Sequence, residues 1–304
     1  MAIQWYPGHM HKASKEMKEI LPQVDLIIEV LDARIPFSSE NPMLAKLRGE
    51  KPCIKVLNKK DLADPDLTRQ WQNYLEQEKG VKTIAINAQK ADYLVDLIDL
   101  CNKLVPVKAN SVKNIQAMIV GIPNVGKSTL INSLAGRQIA KTGNEPAITK
   151  SQQRIKLDKG IVLFDTPGVL WPNLENHNGG YRLAVTGAIK ETAIDNDDIA
   201  YFAVAYLQRA YPQLLQARYG LEALPDNEAE VIALIGTKRG CLRSGGRVDM
   251  ERTAKIILTE LRAGTLGAIT LETPKMMETE LAELVIIREQ KAAKKAARKQ
   301  NKRK

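Results

Sequence analysis

The sequence predicts an α/β fold built on a mainly parallel sheet, followed by a mostly helical C-terminal domain. Two features of the pattern carry that reading. In the first part of the chain, short and almost continuously apolar segments alternate with segments of helical spacing; beyond about residue 175 the extended segments give way to helical ones. A strand that is apolar at nearly every position is one covered on both faces.

The elements follow in order. WYPGHMHKASKEMKEILP reads as an irregular lead and then a helix, with Met10, Ala13, Met17 and Ile20 or Leu21 at helical spacing and Pro22 as its stop. VDLIIEVLDAR is the first buried strand, KPCIKVLNKKD the second, VKTIAINAQ the third and NIQAMIVGIPN the fourth. Helices are expected at Pro42 to Arg48, through LTRQWQNYLEQEKG, and from Ala91 to Val105. QQRIKLDKGIVLFDTPG has the look of a two-stranded hairpin. Helical patterns then run through IAYFAVAYLQRAYPQLLQARYG, NEAEVIALIGTKRG and MERTAKIILTELRAG, broken at Pro212, Gly220, Pro225 and the RSGGR turn. An extended piece, AITLETP, comes before the end. The polar, glycine-rich PNLENHNGG suggests a division into residues 1–178, 179–287 and a tail, 288–304.

A chain of 304 residues can bury a sizeable core, and two domains are expected. Cys53, Cys101 and Cys241 are scattered without metal-ligand spacing, which favours buried thiols in a reducing compartment. With no signal-peptide layout and no long apolar run, a cytoplasmic location is expected. The formal charge of +10 is concentrated: from Arg288 onward nine Lys or Arg face one acid, Glu289. Such an arm favours polyanions, and a basic alanine-rich helix points to nucleic acid over membrane. A solubilising tail is the plain alternative.

Three motifs carry the chemistry. Gly121, Gly126, Lys127 and Ser128 fit G-x-x-x-x-G-K-[ST] between a strand and a helix. Glycines there let backbone N–H groups curl around phosphate, with Asn124, Val125 and Thr129 completing the loop and the start of the helix. Lys127 is expected to reach the β and γ phosphates and Ser128 to give an oxygen to Mg2+. DTPG places Asp165 at a strand tip as a magnesium holder, and Gly168 can present its N–H to the γ phosphate. NKKD, Asn58 to Asp61, selects the base. Guanine carries N1–H and a 2-amino group side by side, and the Asp61 carboxylate can accept from both; adenine offers neither. Asn58 would brace the loop and meet N7, and the Lys59 stem would cover the ring. Asn87 and Ala88, in INAQ, end the next strand, with the Ala88 N–H placed for guanine O6.

These motifs resemble the signature elements of the Ras-like P-loop NTPase fold, in circularly permuted order: base readers first, phosphate loop and DTPG after. A parallel sheet builds its site from loops at one edge, whatever the order of translation. The segment Val105 to Lys113 would join the original ends. With WYPGHMHKA, DLIIEVLDARIPFSSENP, GIPNVGKSTLIN and DTPGVLWP, the chain closely resembles the circularly permuted GTPases of the YlqF/YawG group, the bacterial ribosome biogenesis GTPase A family, over most of its length. The resemblance implies GTP and GDP as ligands with Mg2+, and hydrolysis coupled to late assembly of the large ribosomal subunit. It also implies rRNA contact through the helical domain. DNA and membrane partners are not expected, and a monomer is.

In NEPAITK, Thr149 matches the magnesium-binding switch threonine, although Ala147 replaces the family's usual glycine; Thr142 is the reserve candidate. Val169 stands where Ras-like enzymes carry a water-orienting glutamine, and the resemblance offers His9 as its replacement, with helix capping or RNA contact as the other reading. Asn124 is the position that accompanies potassium dependence in related GTPases. His11 and His177 have no assigned role. A small-subunit assembly GTPase and a GTP-dependent RNA scaffold with little hydrolysis are the alternatives. Changing Asp61→Asn should weaken binding of GTP far more than that of xanthosine triphosphate, measured by equilibrium titration; equal losses would remove Asp61 from base reading.

Overall fold

The computed structural model of the chain describes residues 15–106, 113–140, 153–157, 160–168, 170, 176–189 and 195–301. The strands are β1 (Leu26–Asp32), β2 (Cys53–Asn58), β3 (Val81–Ala85), β4 (Ile115–Gly121), β5 (Gln153–Lys156) and β6 (Ile161–Asp165). They form one sheet in the order β3–β2–β1–β4–β6–β5, parallel except for the β5–β6 hairpin. The chain winds outward from β1 to β3, returns to β4 beside β1, and then continues in the other direction. Such a reversal opens a crevice at the carboxyl ends of the two central strands. Register aligns those ends: Asp32 lies opposite Asn58, Val30 opposite Gly121, and Ile119 opposite Asp165.

The sheet is covered on both faces, which explains its continuously apolar strands. Around it lie α1 (residues 15–20), α2 (Pro42–Arg48), α3 (Pro65–Leu75), α4 (Leu94–Leu104) and α5 (Lys127–Ala135). Leu26, Ile28 and Val30 of β1 face a core shared with Leu97 of α4 and Leu130 of α5. Ile27 points the other way, to Met17 and Leu44 of α1 and α2. Trp71 of α3 packs with Leu31, Leu57 and Met277. Local chemistry sets the helix starts. Asn41 accepts the Met43 N–H at 3.0 Å ahead of α2, and Pro42 supplies the fixed φ of a first turn.

Beyond the sheet come α6 (His177–Val185), α7 (Asn196–Ala210), α8 (Pro212–Tyr219), α9 (Glu228–Lys238), α10 (Met250–Arg262) and α11 (Pro274–Asn301). Asp195, Asn227 and Asp249 cap α7, α9 and α10 through their side chains. The division expected after residue 178 falls inside α6, and the one expected before residue 288 falls inside α11. Packing runs across them: Leu183, Val204 and Ile257 belong to the same buried core as Val30 and Ile119.

The AITLETP segment, expected to be extended, forms no strand and returns to the turns that follow β1 and β2. Its Ile269 N–H donates to Leu62 O at 2.9 Å and its Leu271 N–H to Arg34 O at 2.8 Å. The buried Glu272 carboxylate accepts the Ser38 N–H at 2.9 Å and the Phe37 N–H, with the Ser38 hydroxyl alongside, while its carbonyl takes the Trp71 indole N–H at 3.0 Å. From there α11 runs outward, exposing Leu281, Val285, Ile286 and Ile287 ahead of the basic run. Among the described residues no helix is long and apolar enough to cross a membrane.

Glu29 is buried on β1 opposite Lys55, yet Lys55 bonds to Glu40 at 2.6 Å and Glu78 at 3.1 Å instead. Burial, and then the charge of Glu40, push the Glu29 pKa up to about 8, against the pull of Lys55. The folded chain therefore keeps a proton that an unfolded glutamate releases near pH ~4.3, so stability falls as pH rises from about 5 towards 8. Glu29→Gln, neutral throughout, should flatten that fall and raise the unfolding temperature at pH 8 while changing little at pH 5. Thermal unfolding at both pH values checks this, and a parent-like pH dependence in the variant would contradict it.

Candidate nucleotide site

The phosphate loop joins β4 to α5, and its backbone is dictated by what presses on it. Asn124 and Gly126 both take left-handed conformations, with φ of 58° and 96°. A Cβ on Gly126 would lie 2.2 Å from the Asn58 amide nitrogen, and one on Gly121 would lie 2.7 Å from Val30 O. Glycine is thus required at both positions by close neighbours as well as by phosphate. Ser128 and Thr129 sit half-buried in the first turn of α5, where backbone N–H groups and the positive end of the helix favour an anion.

The base-side motif meets this loop directly. Asn58, buried at the end of β2, donates from its amide to Val125 O at 2.7 Å and accepts the Ala88 N–H at 2.9 Å. Bracing by Asn58 is thus visible as two bonds. The Ala88 N–H, expected at guanine O6, meets the Asn58 amide oxygen here. The Ala88 carbonyl in turn accepts from the Ser133 hydroxyl on α5 at 3.1 Å. Asn87 accepts the Gln89 N–H at 2.9 Å, shaping the same turn. Asp61 lies exposed in the short 3-10 turn Lys60–Leu62, and Lys59 precedes it at φ 62°.

Lys127 and Asp165 meet at the floor of the site. Both are buried, with Nζ 2.5 Å from one carboxylate oxygen; the other oxygen has no hydrogen-bond partner among the described residues. Burial raises the Asp165 pKa, and the Lys127 ammonium counters it. A Cβ on Gly168 would lie 3.1 Å from the Pro123 nitrogen, so the end of the DTPG turn lies against the phosphate loop. His9, Thr142, Thr149 and Val169 lie outside the described residues.

Three further residues surround the site without having been singled out from the sequence. Asp32, at the end of β1, bonds the Lys59 ammonium at 2.9 Å and the Arg34 guanidinium at 2.7 and 2.9 Å. Burial alone would raise the Asp32 pKa, but Arg34 and then Lys59 hold it well below the usual carboxylate range. Asn124 donates to Gly187 O at 2.8 Å, tying the phosphate loop to the residues just after α6. The available signal was the placement of Asp and Arg, in DAR, directly after an apolar strand; for Gly187 the sequence offered none.

The chain is similar to known proteins in sequence and in fold. The family model described as 50S ribosome-binding GTPase matches residues 116–226. Ribosome biogenesis GTPase A of Bacillus pumilus is 47% identical over 282 residues, covering 90% of this chain and all of that protein. The Bacillus cereus protein of the same name is 46% identical, covering 90% and 95%. The crystal structure of GNP-bound YlqF from T. maritima is 28% identical and superposes with a TM-score of 0.61, over 87% of this chain and 99% of that one. With the base-side motif locked onto a phosphate loop that follows it in sequence, and with this likeness along nine-tenths of its length, the chain belongs to the ribosome biogenesis GTPase A family of circularly permuted GTPases.

Proposed function

We propose that the chain binds and hydrolyses GTP as a switch in late assembly of the large ribosomal subunit, contacting rRNA. The observation that carries the nucleotide reading is the Asn58 bridge between Val125 and Ala88, which makes one site of the base readers and the phosphate grip. Asp61, open to solvent, is positioned to accept guanine N1–H and its 2-amino group, and the second hydrogen of the Asn58 amide suits N7. The names of the relatives support the ribosomal role.

The residues divide the chemistry among them. Val125 to Thr129 offer backbone donors to the phosphates, and Lys127 supplies a positive charge that phosphate oxygens would draw away from Asp165. The partnerless buried oxygen of Asp165 fits a divalent cation, with Ser128 and Thr149 as the further holders. Bound there, Mg2+ supplies neutralisation of the charge spread over the transferred phosphoryl group. For potassium, the amide oxygen of Asn124 is the atom suited to the ion. Val169 has no side chain able to orient water, and His9 is our assignment for that task. Residues 179–287 and the basic tail form the RNA-facing part.

Turnover measured with and without purified large and small subunits tests the assignment. Stimulation by the large subunit alone is expected; stimulation by the small one, or no turnover with either, would favour the alternatives. Removing residues after Arg288 should lower affinity for the large subunit and flatten its salt dependence, because fewer phosphate contacts release fewer counterions. An unchanged slope in a salt titration would take the tail out of the interface.

A further inference from the structure

The last turn of an α-helix leaves carbonyl groups without intrahelical donors. At the end of α6 four successive carbonyls are met by three side chains drawn from different parts of the chain. Arg262 of α10 donates through Nη2 to Ala184 O at 3.0 Å and through Nε to Val185 O at 2.9 Å. Arg34, from the loop after β1, reaches Thr186 O with a long contact of 3.5 Å. Asn124, in the phosphate loop, takes Gly187 O at 2.8 Å. The chain leaves α6 at Gly187 with φ 80°, where a Cβ would lie 3.5 Å from Arg262 Nε.

These contacts differ in what they fix. A planar guanidinium spanning two consecutive carbonyls sets both the rotation and the height of the helix end. The negative end of the helix dipole adds to its hold. Gly187 O, two residues further on, is thereby placed for Asn124, a non-glycine residue in a left-handed conformation that its surroundings must maintain. Through Arg34 the same helix end touches Asp32, which holds Lys59 on the base side. One helix terminus therefore contacts both halves of the nucleotide site, and a residue of the helical region holds it there.

We propose that Arg262 and Asn124 are paired positioning residues, through which the helical region sets the phosphate loop in its nucleotide-binding shape by way of the α6 terminus. The inference rests on the GTP-binding reading above and goes beyond it: a residue of α10 that faces α6 carbonyls governs affinity for GTP. Coupling of this kind is reciprocal, so displacing α10 by a partner loosens GTP, and bound GTP resists that displacement.

The test is a double-mutant cycle on GTP affinity, read by equilibrium binding to the full chain. Asn124→Gly removes the side chain at a position whose φ glycine accepts without strain. Arg262→Ala should weaken GTP binding about fivefold in the parent and less than about twofold in the Asn124→Gly background. Arg262→Gln, which keeps a donor for one carbonyl, should fall between, and serves if the alanine variant fails to fold. Lys255→Ala, exposed on the same helix, should leave affinity unchanged. Equal losses in both backgrounds, no loss in either, or a loss with Lys255→Ala matching that of Arg262→Ala, would overturn the proposal. A parent chain that binds no GTP would overturn the functional reading itself and this inference with it, a result distinct from all of these.

Discussion

One side-chain amide, that of Asn58, holds the nucleotide site together. It lies 67 residues from Val125 in sequence and 2.7 Å from its carbonyl in space, while its oxygen holds the turn after β3. Both bonds are buried, so losing either partner leaves a polar group unmet at a cost of roughly 1–3 kcal/mol. The requirement runs back into the sequence. Residue 126 must lack a Cβ because the Asn58 amide occupies that volume, so the second glycine of the phosphate motif answers to the base-side motif as much as to phosphate. Parallel strands in register deliver the two loops to one edge, and the amide then fixes their separation.

Permutation changes what lies at the end of the core. The base readers are held within the sheet by β1 to β3, and the chain leaves through β6 and DTPG towards α6. The first helix of the C-terminal region is thus the next helix after the DTPG turn in sequence, and its terminus touches the phosphate loop in space. Glu272 fastens the far end of the same region to the loop after β1, and the cores are continuous. A helical region gripped at two points cannot turn as an independent body. A shift at either grip alters buried contacts at the site, which gives a nucleotide-dependent change a short physical route outward.

Much of this was legible in the sequence because local chemistry decides it. The bounds of α2 could be read from the Pro42 start and the Gly49 stop, and β1 to β4 from apolar runs ending in polar motifs. The phosphate, base and DTPG motifs also fall where the topology needs them. Pairings over long separations were not legible. Nothing in INAQ says that the Ala88 N–H meets the Asn58 oxygen, since that depends on an amide 30 residues away. Continuity of the core across residue 178 is of the same kind: a polar, glycine-rich stretch marks where a chain can turn, and burial on the far side decides what packs across it. DAR was read as part of a strand and a resemblance, because its meaning lies in Lys59 and Thr186, which only the fold brings near.

Two buried carboxylates at the strand ends show how charge balance separates structure from function. Asp32 is met by two cations, Arg34 and Lys59, and holds its place in the fold with its charge answered. Asp165 is met by one, Lys127, and keeps an oxygen with no partner among the described residues. Burying an unpaired carboxylate is costly, so Asp165 tolerates its position only while some cation attends it. Lys127 is also the lysine of the G-x-x-x-x-G-K-[ST] motif, at the start of the helix after the phosphate loop. An anion that draws Lys127 away would leave Asp165 to take a proton or a second cation. The undersupplied charge at Asp165 makes it the carboxylate suited to a divalent ion, and the full supply at Asp32 suits that residue to a structural role.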